Sequence, residues 1–185
     1  RWYHFLQVVV AIDKQDVARL KRSLALGKTP VEMYIYLAYG RATDPIPAPD
    51  LKELVLTMAA MPSGYDVVIE ILHMRLDSDE DRKEGIAPDL IDAGCELMQQ
   101  FAFTKNNDRE DYRLGGIAKS CLRGAKGAAV VKEICHKLKD AVGKYETYAF
   151  YHHDLLEGLF SAQPIAALDG LCAGKTEELQ QGIRI

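Results

Sequence analysis

The sequence lacks any apolar stretch long enough to cross a membrane. Its longest apolar runs, VVVAI at 8–12 and YIYLAY at 34–39, fall far short of the ~20 residues a helical span requires. No basic segment leads into a hydrophobic stretch and a cleavage site, so the expectation is a cytoplasmic protein without membrane contact. The cysteines are few and scattered: Cys95, Cys121, Cys135 and Cys172 form no CxxC pair, which argues against a zinc ribbon. All four fall in helix-like segments, where cysteine behaves as a small core residue, so thiols are expected rather than disulfides. Convincing period-two alternation is absent, and no sheet is expected. Aromatic residues make up only 8% of the chain, and they crowd in one place, YETYAFYHHD at 145–154.

What is there reads as helix. With 185 residues, 48% apolar and 27% charged, the chain can bury a sizeable core and has an ordinary globular composition. It starts at Arg1 without a methionine and stops at Ile185, and we expect a fragment of a longer protein. Apolar spacing predicts helices near 3–11, 14–26, 30–40, 50–61, 65–77, 88–104, 111–123, 127–142, 146–161, 164–173 and 176–182. Thr29, Pro30 and Glu32 have the form of a capping box with proline at the first helical position. Asp13 and Asp50 suit caps, and Pro88 and Pro164 suit first turns. Gly27, Gly40, the Pro62-Ser63-Gly64 turn, Gly124 and Gly174 read as stops. The proline-rich 41–49 and the charged 77–87 read as longer loops.

The pattern also recurs. APDL stands at 48–51 and again at 87–90, 39 residues on, each time opening a helix. Pro164 follows Pro88 by 76 residues, two further steps of the same size. Second helices share a look: YDVVIEIL from 65, YRLGGIAKSCL from 112 and YHHDLLEGLF from 151. A period near 38 built of two short helices is the mark of a helical solenoid, whose units bury their apolar faces by stacking. Over 48–182 the chain resembles the HEAT/armadillo class of repeats, in period and layout rather than in signature. HEAT first helices tend to carry a proline near the middle, whereas Pro49, Pro88 and Pro164 stand at helix starts. Long bacterial proteins with irregular repeats of this kind look similar. The fold expected is all-α: one domain over 1–185, with irregular helices at 1–40 and hairpins at 48–182 stacked as a short right-handed α-solenoid. An irregular globular helix bundle is the competing arrangement.

Chemistry has several candidates. EILH at 70–73 and EICH at 133–136 are ExxH pairs, and two such pairs with two more carboxylates, here Glu53 and Glu96, make a di-iron site in a four-helix bundle. Helical-wheel phase opposes this. Glu70 and His73 fall opposite an arc of Val67, Val68, Ile71, Leu72, Met74 and Leu76, and Glu133 and His136 fall opposite Val130, Ile134 and Leu138. His153 and Asp154 have no nucleophile placed beside them. His152 falls on an apolar arc with Tyr148 and Leu155, and reads as a buried, hydrogen-bonded core histidine. Lys119-Ser120 and GAKG at 124–127 lack the strand and loop of a phosphate-binding motif.

Charge is segmented: residues 1–43 sum to +4, 44–111 to −10, 112–144 to +6 and 145–185 to −4. These readings point to a non-catalytic protein-interaction or scaffolding module of a larger, bacterial-type cytosolic protein, with no catalytic residue, metal or cofactor. Phe150 and Tyr151, outside the apolar arc, are candidate contacts, with Arg113, Lys119, Arg123 and Lys126 as candidate charged contacts. The alternatives are a nucleic-acid-binding repeat using the basic block 112–144, with weak binding expected, and a di-metal enzyme using Glu70, His73, Glu133 and His136.

Overall fold

Helix punctuation decides where each element sits. The computed structural model describes residues 2–39, 46–80, 85–103, 110–144 and 148–172. The expected helix at 176–182 and the stops at Gly40 and Gly174 lie outside them. Among the described residues the chain forms ten α-helices and no strand. These are α1 (Trp2–Asp13), α2 (Val17–Leu26), α3 (Tyr36–Tyr39), α4 (Ala48–Ala59), α5 (Gly64–Glu80), α6 (Pro88–Gln99), α7 (Asp111–Cys121), α8 (Ala125–Gly143), α9 (His153–Ala162) and α10 (Pro164–Cys172). Short 3-10 turns at Val31–Ile35 and Ala149–His152 precede α3 and α9.

Several caps differ from the sequence expectation, each for a local reason. Asp13 closes α1 instead of opening α2. Asp16 is the cap of α2, its Oδ1 accepting from the Arg19 N–H at 3.0 Å. Thr29 is buried, its hydroxyl 3.3 Å from Ser23 Oγ, and the Tyr34 hydroxyl donates to that same Ser23 oxygen at 2.8 Å. That cluster takes the place of a capping box, and the segment opens as a 3-10 turn with Pro30 at the cap position and no side-chain cap. Asp50 lies inside the first turn of α4, where its charge favours the helix dipole. The α5 helix runs on to Glu80, so the stretch expected as a loop from 77 begins as helix. Pro88 and Pro164 open their helices, and α2 ends at Gly27, as the sequence indicates.

The chain divides into two compact units, Arg1–Leu97 and Met98–Ile185. In the first unit α4 packs on α5, and the Val31–Ile35 turn and α3 also lie against α5. Tyr34, Leu54, Met58, Ile69, Ile71 and Leu72 are fully buried there. Along its surface, lysines join alternate helices. Lys21 on α2 reaches Asp50, at 3.3 Å, and Glu53 on α4, and Lys52 on α4 reaches Asp92 at 3.4 Å and Glu96 at 3.6 Å on α6. Such exposed pairs contribute little to stability, but they fix which turns lie side by side. Tyr65 donates to the Leu97 carbonyl at 3.0 Å, and burial pushes its hydroxyl pKa well up.

The second unit is built of two helix pairs. The start of α7 meets the start of α9 through Asp111 and Asp154, and the end of α7 meets Gln163 just past α9. The two helices therefore run parallel. Between those points Gly115 and Gly158 touch backbone to backbone: a Cβ on Gly158 would stand 2.3 Å from the Gly115 carbonyl oxygen. Likewise α10 lies on α8, where a Cβ on Gly170 would stand 2.4 Å from the Lys132 oxygen. The four cysteines are thiols without disulfides; Cys95, Cys121 and Cys135 are buried, and burial pushes the Cys135 thiol up to about 11.

The glycine contact separates packing from propensity. Gly158→Ala is expected to destabilise by about 1–3 kcal/mol through overpacking. Gly143→Ala, at the end of α8 with open space around it, should stabilise by about 0.5–1 kcal/mol, because alanine is the better helix former. Urea unfolding of both variants checks the two signs. Equal effects would contradict the close approach of α7 and α9.

Candidate functional site

The start of α9 gathers the residues of interest. A helix begins with N–H groups that have no intrahelical acceptor. Here the Asp154 N–H donates to Asp111 Oδ2 at 2.8 Å and the Leu155 N–H to Asp111 Oδ1 at 3.2 Å. Asp111 is only 4% exposed, so a buried carboxylate from the first turn of α7 caps α9 from outside. His152 is 1% exposed, the interior histidine that the sequence indicates. Its ring meets Phe103 edge to face at 5.0 Å, and its Nδ1 lies 3.6 Å from Asp111 Oδ1. His153 points outward, with Nδ1 3.8 Å from Asp111 Oδ2 and Nε2 3.4 Å from Asp154 Oδ1.

Among the described residues, Asp111, His153 and Asp154 are the group whose donor atoms converge closely enough, within 4.8 Å of one another, to hold a metal ion. The same oxygens of Asp111 already accept two N–H groups, and the site faces the positive end of the α9 dipole, which opposes a cation. The arrangement fits a helix cap better than a metal centre. The two ExxH pairs do not join this group. Glu133 lies 3.6 Å from Lys137 and His136 lies 3.7 Å from Asp140, both along their own helix. Glu53 and Glu96, the carboxylates that a di-iron reading would need, bridge to Lys21 and Lys52 instead. On α5, Val67, Val68, Ile71, Leu72 and Leu76 are buried as the sequence indicates, while Met74 is 38% exposed and Ile69 joins the buried side.

Aromatic side chains stand exposed around the α9 start. Phe150 is 75% exposed and Tyr151 46%, and their rings lie 4.8 Å apart. Tyr148, placed on the apolar side by wheel phase, is exposed and packs edge to face on Tyr151 at 5.9 Å. The reason is local: Ala149–His152 is a 3-10 turn after an extended residue, so the phase of α9 does not carry back to it. Tyr112 on α7 is also exposed and escaped the sequence reading. The signal was there, since Tyr112, Gly116 and Lys119 share one helical face opposite Leu114, Ala118 and Cys121.

The basic block divides. Lys119, Arg123 and Lys126 are exposed about the turn that joins α7 to α8. The Gln163 amide holds that turn, donating to the carbonyls of Leu122, Arg123 and Gly124 at 3.0, 2.9 and 3.0 Å. Arg123 Nε donates to the Lys119 carbonyl at 2.9 Å, closing the end of α7. Arg113, in contrast, pairs with Glu110 at 3.0 Å. Lys132 faces Asp169 at 3.8 Å, and Lys137 donates to the Phe101 carbonyl at 3.2 Å besides facing Glu133.

No family model, curated protein or solved structure matches the chain.

Replacing the cap tests this geometry. Asp111→Ala leaves two N–H groups without their buried acceptor, and a loss of about 2–4 kcal/mol is expected. Asp111→Asn, which keeps one carbonyl oxygen in place, should lose less. Chemical denaturation of both variants measures the order, and an unchanged midpoint in Asp111→Ala would contradict the cap.

Proposed function

We propose that the chain is a non-catalytic protein-interaction or scaffolding module made of HEAT-like helical repeats, working in the cytoplasm as part of a larger protein. The observation that carries this reading is the exposed group of Tyr112, Tyr148, Phe150 and Tyr151 in the second unit. Large aromatics in water are favoured anchors at protein interfaces, and exposed apolar patches mark such contacts. The repeat layout supports the same reading. Contacts between helices join residues 43 apart at Asp111–Asp154, 41 apart at Leu122–Gln163 and 40 apart at Lys52–Asp92. These offsets sit close to the period read in the sequence, as expected where each hairpin stacks on the next. On α1, Trp2, Leu6 and Val10 stand exposed one turn apart, a face of the kind that stacked repeats cover with a neighbour.

A second reading rests on Lys119, Arg123 and Lys126, which would attract phosphates in a nucleic-acid-binding repeat. It is the weaker of the two, because much of the basic block is already turned toward acids of its own chain.

Truncation distinguishes a contact surface from a core. Phe150→Ala and Tyr151→Ala should each change stability by no more than about 0.5 kcal/mol, whereas Phe101→Ala, at a fully buried ring, should lose about 3–5 kcal/mol. Thermal melting compares the three. A large drop for both Phe150→Ala and Tyr151→Ala would make them structural and remove the contact surface.

A further inference from the structure

The α7–α9 face carries its two kinds of group at opposite ends. Near the helix starts stand Tyr112, Phe150 and Tyr151, and α9 carries the acids Asp154 and Glu157 in its first two turns. Near the end of α7 stand Lys119, Arg123 and Lys126, all exposed. Tyr112 and Lys119 fall within one narrow arc of α7, seven helical positions and roughly 10 Å apart along its axis, and Arg123 and Lys126 follow just past the end of that helix. An extended chain covers that distance in about three residues.

We propose that this face takes an acidic peptide segment with an apolar anchor, the anchor seated on Tyr112, Phe150 and Tyr151 and the carboxylates on Lys119, Arg123 and Lys126. The assignment rests on the protein-interaction reading above and names the chemistry of its partner. Charge complementarity selects the occupant. A single-stranded nucleic acid has a negative charge at every nucleotide, so its phosphates would run past Asp154 and Glu157 to reach the aromatic rings. A peptide can be neutral and apolar over the rings and acidic only over the cations. The Gln163 amide gives the cationic end a fixed shape, because it ties the backbone of the turn through three carbonyls. The aromatic end is held by the Asp111 cap just beneath it.

The test uses phage-displayed random dodecapeptides panned on the whole chain, with a fluorescein-labelled poly-dT oligonucleotide titrated in parallel. Recovered peptides should carry an aliphatic or aromatic residue followed, from about three positions on, by Asp or Glu. Synthetic copies should bind at least about tenfold more weakly to the double variant Phe150→Ala with Tyr151→Ala, and to Lys119→Glu with Arg123→Glu. Raised salt should weaken them as well. Circular dichroism of each variant confirms folding before binding is scored. Recovered peptides that depend on Phe150 and Tyr151 but show no acidic bias would overturn this inference and leave the protein-interaction reading standing. No enrichment at all, or enrichment indifferent to both double variants, would overturn the two together. Binding of poly-dT more tightly than any recovered peptide would assign the face to nucleic acid and overturn the inference.

Discussion

The α9 helix starts with backbone N–H groups that its own residues cannot satisfy, and the acceptor for two of them is a carboxylate 43 residues earlier in the chain. Asp111 stands in the first turn of α7, so its charge favours the positive ends of two helices at once. With the two starts pinned together, the helices are set parallel, and they can approach until Gly115 meets Gly158. No other residue type fits at that contact without moving a backbone. The cap and the glycine pair depend on each other: the first sets register along the helices and the second sets the distance between them. Gln163 closes the far end on the turn after α7, and α10 can then lie on α8 at Gly170.

Much of this was legible in the sequence, and the exceptions have physical causes. Helix existence followed from apolar spacing and from local breakers, so Pro88, Pro164 and Gly27 act where they were expected to. The burial of His152, the last residue of the 3-10 turn, followed from wheel phase carried back one position from α9. The exposure of Tyr148 did not, since a 3-10 turn breaks the phase at Ala149–His152. Thr29 has the form of a cap, but Ser23 and Tyr34 engage its neighbourhood in a buried hydroxyl cluster, which local sequence spacing does not reveal. Asp111 could not be found from spacing at all, because the N–H groups it serves belong to another helix. Its only trace was an acid at the start of an apolar period, which reads as an ordinary first-turn charge.

The charged segments teach the same lesson about long-range partners. A block of like charge in sequence suggests a continuous surface, yet Lys132 and Lys137 turn to Asp169, Glu133 and the Phe101 carbonyl. Lys119, Arg123 and Lys126 stand exposed about one turn, and a group of aromatics about one helix start. In the same way Glu53 and Glu96, which look like spare ligands beside two ExxH pairs, serve as rungs between neighbouring helices. Both ends of the α7–α9 face are therefore held by backbone interactions, Asp111 under the aromatics and Gln163 under the cations. Preorganised side chains of this kind lose less conformational freedom on binding than loop residues would.

Amide hydrogen exchange at Asp154 and Leu155 tests the central claim most directly, because it reads the two capped groups themselves. In a helix without an external cap, these first-turn amides exchange nearly as fast as in an unfolded chain. With Asp111 as their acceptor, both should exchange at least about a hundredfold more slowly than an unprotected amide, and that protection should fall in Asp111→Ala. Rapid exchange at both positions in the unaltered protein would contradict the account, since the parallel packing of α7 and α9 would then have lost the interaction that sets its register.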